Sequence, residues 1–78
     1  FLIHVYPNPT SDYITVLSTG SNTMSIEIFD LMGRRLVSYR NIFHQGEISM
    51  REFPSGSYVV AVTDEKTKSG VRKIIIKK

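Results

Sequence analysis

The side chains that could do chemistry are few in this chain, and none is spaced to do it. His4 and His44 are its two histidines, and neither sits at a spacing that holds a metal. Cysteine is absent, so there is no thiol nucleophile, thiolate metal site or disulfide. No serine lies in a G-x-S-x-G turn. The stretch PSGSY at 54–58 misses that pattern by one residue and reads as a β-turn. Acids occur singly, without the close pair that acid–base catalysis uses, and no glycine-rich loop could cradle a phosphate. The residues therefore predict no catalytic set, no metal and no cofactor, in a domain that is not an enzyme.

Charge says more than chemistry. The net charge is +3, but residues 1–65 hold four arginines against seven acids, a net of −3. Residues 66–78 carry Lys66, Lys68, Arg72, Lys73, Lys77 and Lys78 without an acid. A step of this kind marks an interaction end. It equally describes an edge strand that lysines keep soluble. Binding to nucleic acid would need aromatics among the cations. Here Tyr6, Tyr13, Phe29, Tyr39, Phe43, Phe53 and Tyr58 lie outside the cationic end, and they read as core and turn residues. No nucleic-acid partner is expected.

The elements that must position these residues are strands. Short apolar runs recur between turn signals, the pattern of an all-β sandwich or barrel. MSIEIFD at 24–30 puts Met24, Ile26 and Ile28 on one face and Ser25 and Glu27 on the other. DYITVLS at 12–18 sets Tyr13, Thr15 and Leu17 against Ile14 and Val16. RRLVSYR at 34–40 reads as a half-buried strand with Leu36 inward and Val37 a second candidate. GEISM at 46–50 sends Ile48 and Met50 one way, and SYVVAVT at 57–63 does so with Tyr58, Val60 and Val62. VRKIIIKK at 71–78 sets Ile74 and Ile76 against Ile75, and LIHVY at 2–6 adds a seventh strand. Asp30 and Gly33 suit a short hairpin loop, and Gly56 follows Pro54 in another turn. These features predict a seven-stranded antiparallel Ig-like β-sandwich, with a five- or six-stranded barrel as the alternative.

Seventy-eight residues make one domain, 1–78, near the lower size limit for folding alone. No apolar run is long enough to span a bilayer as a helix, and no transmembrane segment is expected. Phe1 in place of Met suggests a segment excised from a larger precursor, with any export signal upstream. A monomer is expected, although bare sheet edges allow a strand-exchanged dimer.

Four stretches in order resemble one family. VYPNPTSDYITV is similar to its Y-P-N-P opening, and IEIFDLMGRRLVS to its Asp-x-x-Gly hairpin. EISMREFPSGSYVVAV is similar to its Gly-x-Tyr strand, and RKIIIKK to its ending. Together they resemble the C-terminal sorting domain of type IX secretion (the Por secretion system, type A) in Bacteroidota over residues 5–78. Met50 and Phe53 stand where that family usually has leucine. The resemblance implies a secretion signal that takes a cargo across the outer membrane and is then cut off by a sortase, a cysteine protease. The cargo, often a protease or other hydrolase, is in many cases joined to anionic lipopolysaccharide. Partners would be the outer-membrane shuttle and translocon proteins. The domain would sit in the periplasm in transit and then at the cell surface or outside.

The resemblance places translocon recognition on Lys73, Ile74, Ile75, Ile76, Lys77 and Lys78. Tyr6, Pro7, Asn8 and Pro9 form the boundary motif, with the cut at or before Phe1. Asp30, Gly33, Gly56 and Tyr58 form the turn and core motif. Physically, Pro7 and Pro9 remove two backbone donors, which suggests a stiff lead-in where strand pairing stops. A free, cationic last strand offers backbone groups to a partner's strand. The competing reading is an Ig-like accessory or spacer module of a secreted enzyme or adhesin, one that binds glycan or protein and stays attached.

Overall fold

The computed structural model describes residues 2–78 and contains seven strands and no helix. They are β1 (Ile3–Tyr6), β2 (Tyr13–Ser18), β3 (Met24–Asp30), β4 (Arg35–Ile42), β5 (Gln45–Ser49), β6 (Gly56–Asp64) and β7 (Gly70–Lys77). They form two antiparallel sheets, ordered β1-β2-β5 and β4-β3-β6-β7, rather than one closed barrel. The architecture is Ig-like, with β4 paired to β3 and so belonging to the four-stranded sheet.

Alternation builds the core. Ile14 and Val16 of β2 and Ile48 of β5 face Ile26 and Ile28 of β3 and Tyr58, Val60 and Val62 of β6, all buried. Met24, Met50 and Ile75 complete the cluster, and Ile3 closes it at β1. Each fully buried side chain of this size contributes about 1.5–3 kcal/mol through removal from water.

Two expectations need correction. Leu36 is exposed, and it is Val37 that packs against the core. The cause is a register shift in the β3–β4 ladder between Ile28 and Phe29, which inverts the inward phase of β4. The aromatics are not mainly core residues: Tyr6, Tyr13, Tyr39 and Phe43 are exposed, and Tyr58 is the buried one. Residues 7–9 follow β1 and carry the chain from the three-stranded sheet to the edge of the other.

Candidate functional site: the terminal strand and its brace

The four family-like stretches, far apart in sequence, meet at one end of the sandwich. The ladder sets Asp30 opposite Tyr58 and Tyr58 opposite Ile75, in one row across β3, β6 and β7. Beyond that row, Ser57 faces Ile76 and Gly56 faces Lys77.

The hairpin at this end is built around the Asp30 carboxylate. It accepts N–H bonds from Met32 at 2.9 Å and Arg34 at 3.0 Å, and an ion pair from Arg34 Nε at 2.8 Å. These donors, the Arg34 backbone N–H first, hold its pKa below the ordinary carboxylate range. Gly33 takes φ +87, a conformation that strains any residue with a Cβ. Tyr58, near the start of β6, donates its hydroxyl to the Pro54 carbonyl four residues upstream, the tyrosine corner of Ig-like sandwiches. Its ring lies 5.4 Å from that of Phe53.

β7 is an edge strand, yet its last residues are not bare. The Asn8 side-chain amide donates to Ile74 O at 3.1 Å and accepts from Ile76 N at 3.0 Å. One step further, Thr10 N donates to Ile76 O and Lys78 N donates to Thr10 O, each at 2.8 Å. Thr10 thus forms a parallel bridge with Lys77, and it is buried. The two bonds of the Asn8 amide mimic a peptide group of a neighbouring strand. Both X-Pro bonds of this segment, Tyr6–Pro7 and Asn8–Pro9, are cis. The expectation of a free last strand is therefore corrected: along residues 74–78 the outer edge is already taken by Asn8 and Thr10.

The three isoleucines divide. Ile75 is fully buried, whereas Ile74 and Ile76 are 63% and 49% exposed on the outer face. Lys73 shares the parity of Ile75 but is exposed. Lys77 is half-buried, and its Nζ donates to Phe53 O at 3.2 Å, so this lysine braces the end of the sandwich. Lys78 is exposed. The surface on offer is an outward stripe of Arg72, Ile74, Ile76 and Lys78, with Arg72 5.6 Å above the Phe29 ring.

At the far end, Asp64 is a buried acid that no motif along the chain marks out. Its carboxylate accepts from the N–H groups of Lys66 and Thr67, each at 2.9 Å, and from the Asn22 amide. The Thr67 N–H is the main cause that holds its pKa below the usual range. This is a loop anchor. Among the described residues, no three His, Asp or Glu side chains cluster as a metal ion would require. Among them, too, no helix is long and apolar enough to cross a membrane.

Fold and site together define an Ig-like sandwich closed by its own braced C-terminal strand. Residues 4–77 match the family of secretion system C-terminal sorting domains, and the chain belongs to that family. Among curated proteins it is 28% identical over 78 residues to an endo-acting ulvan lyase of Formosa agariphila, covering 96% of this chain and 15% of that protein. It is 31% identical over 77 residues to an ulvan lyase of Nonlabens ulvanivorans, covering 95% of this chain and 14% of the other. The chain thus spans about one seventh of the length of these relatives. Among solved structures it resembles PorZ, a bacterial surface component of the type-IX secretion system of Porphyromonas gingivalis. The TM-score is 0.75 at 25% identity, covering 97% of this chain and 11% of PorZ.

Proposed function

We propose that this domain is the removable address of a type IX secretion cargo, read by the outer-membrane machinery at its terminal strand. Family membership supports the sorting role, and the likeness to PorZ supports type IX. The observation that carries the location is the braced strand. Four hydrogen bonds shared with Asn8 and Thr10 fix residues 74–78 while Ile74, Ile76 and Lys78 remain exposed. A receptor meets a rigid stripe, with no segment left to order on binding.

In this reading Ile75 and Lys77 hold the strand in place, Ile74, Ile76 and Lys78 are its legible outward stripe, and Lys73 adds an exposed cation on the opposite side of the strand. Pro7, Asn8 and Pro9 brace the address rather than mark the cut. The sortase acts upstream of the domain, and the freed cargo stays at the cell surface or is released outside. The domain contributes binding, and the partner contributes the chemistry. Cargo of the polysaccharide-lyase class fits the two curated relatives.

The test is export of the precursor with Lys73→Ala and Lys78→Ala together. Both are exposed, so the fold should keep its stability within about 0.5 kcal/mol per site. Cargo retained in the periplasm is the expected result. Export at the wild-type rate would show that these charges are not read. Mass spectrometry of the surface protein adds a second readout: a domain still attached to mature cargo would mark an accessory module.

A further inference from the structure

β4 lies at the opposite edge of the four-stranded sheet from β7, and nothing in the described structure pairs with its outer side. The other edges are short or covered. β1 and β5 have four and five residues, and the end of β7 is braced, whereas β4 runs for eight. Its ladder with β3 is interrupted by two register shifts, but Val37, Ser38 and Tyr39 keep unbroken register between them. Asn41, at φ +59, ends the regular stretch and donates its N–H to Glu65. The regularly paired part of the edge is residues 37–39, with Arg35 and Arg40 flanking it.

The side chains along that edge have a clear polarity. No acid occurs between Leu31 and Gly46, while Arg34, Arg35 and Arg40 fall within it. Arg34 holds Asp30 and Arg35 holds Glu27, yet their side chains remain 77% and 56% exposed. Arg40 has no ion-pair partner among the described residues. Arg35 pairs with Phe29, and Arg40 lines a concavity with Ser25 and Glu27, which puts both arginines on the outer face. Val37 and Tyr39 pair with the buried Ile28 and Ile26; Val37 packs against the core and Tyr39 stays exposed at its margin. An added neighbour would thus meet cations on one face and apolar groups on the other.

We propose that the β4 edge is a docking site for an extended strand of another protein, with acidic and apolar residues in alternation. Such a strand would satisfy the open backbone groups, set its acids beside Arg35 and Arg40, and extend the core beside Val37 and Tyr39. A second copy of this chain fits poorly. Its own β4 edge brings no acid to meet Arg35 and Arg40, because none occurs between Leu31 and Gly46, so pairing two copies would only gather like charges along one seam. The surface is remote from the terminal strand and stands whether or not that strand is read.

The probe is a blocked synthetic peptide of alternating glutamate and valine, titrated into the isotope-labelled domain and followed by NMR. The expected result is slowed amide exchange and shifted resonances confined to residues 35–40. Affinity should fall about tenfold on raising salt. N-methylation of the peptide along the paired edge should abolish binding. Arg40→Glu, whose spectrum reports that it is folded, should weaken the acidic peptide and favour a lysine–valine one. Four results would overturn the proposal: no binding; shifts centred on β7; β4 amides already protected in a free chain of doubled mass; or binding to anionic phospholipid vesicles through Leu31 and Met32 without binding to the peptide.

Discussion

Replacing Asn8 by alanine tests the brace directly. The side chain makes two hydrogen bonds to β7, at 3.1 Å to Ile74 O and 3.0 Å to Ile76 N. A typical intramolecular hydrogen bond contributes about 0.5–1.5 kcal/mol net. This site is exposed, so water can replace part of each bond, and the pair should contribute about 1–2 kcal/mol. A domain of this size loses about 4–8 °C in melting temperature per kcal/mol, so Asn8→Ala should melt about 5–15 °C lower. Asn8→Asp keeps the acceptor for Ile76 and loses the donor to Ile74, and it should fall between the two. Thermal unfolding by circular dichroism gives the melting temperatures, and hydrogen exchange at the Ile76 amide reports the local bond. An unchanged melting temperature with unchanged protection at Ile76 would refute the claim that Asn8 holds the terminal strand.

The isoleucines offer a contrast within three residues. Ile75→Ala empties a fully buried site and should cost about 2–5 kcal/mol in denaturant unfolding, a large share of a small domain's stability. Ile74→Ser and Ile76→Ser act at exposed positions and should each stay within about 0.5 kcal/mol. Asp64, like Asp30, contributes to the loss of stability in acid. Its folded pKa lies below the unfolded value near 3.8, so its contribution is complete above that value and is lost as pH falls through the folded pKa. Melting curves across acid pH should show wild type losing stability below about pH 4. Asp64→Asn should melt lower at neutral pH and lose less on acidification.

Much of the fold was legible because alternation is a local signal. Met24, Ile26 and Ile28, or Tyr58, Val60 and Val62, reveal a buried face within one strand's length, and both faces are as expected. Asp30 and Gly33 were legible for the same reason, since a turn is settled within five residues. Leu36 was misread because a bulge adds a residue to one strand, and the residue types around it do not announce it. Lys77 read as a free cation. Its bond to Phe53 O joins residues 24 positions apart, which no spacing along the chain reveals. Asn8 was the largest omission. Between two prolines it read as punctuation, while its partners lie 66 and 68 positions away at the other end of the chain.

That long-range bond changes what the terminal strand can be. A tail read as a linear peptide would be legible in an unfolded chain. Here the outward stripe of Ile74, Ile76 and Lys78 exists only when β6 supports one edge of β7 and residues 8–10 support the other. Residues from both ends of the chain must be in place together, because Thr10 is buried at that edge and Ile75 is buried in the core. Under the proposed function, recognition and folding are therefore one condition. A variant such as Asn8→Ala should weaken export even though every residue of the stripe is intact. It should do so in proportion to the loss of protection at Ile76, whereas a linear tag would be indifferent to position 8.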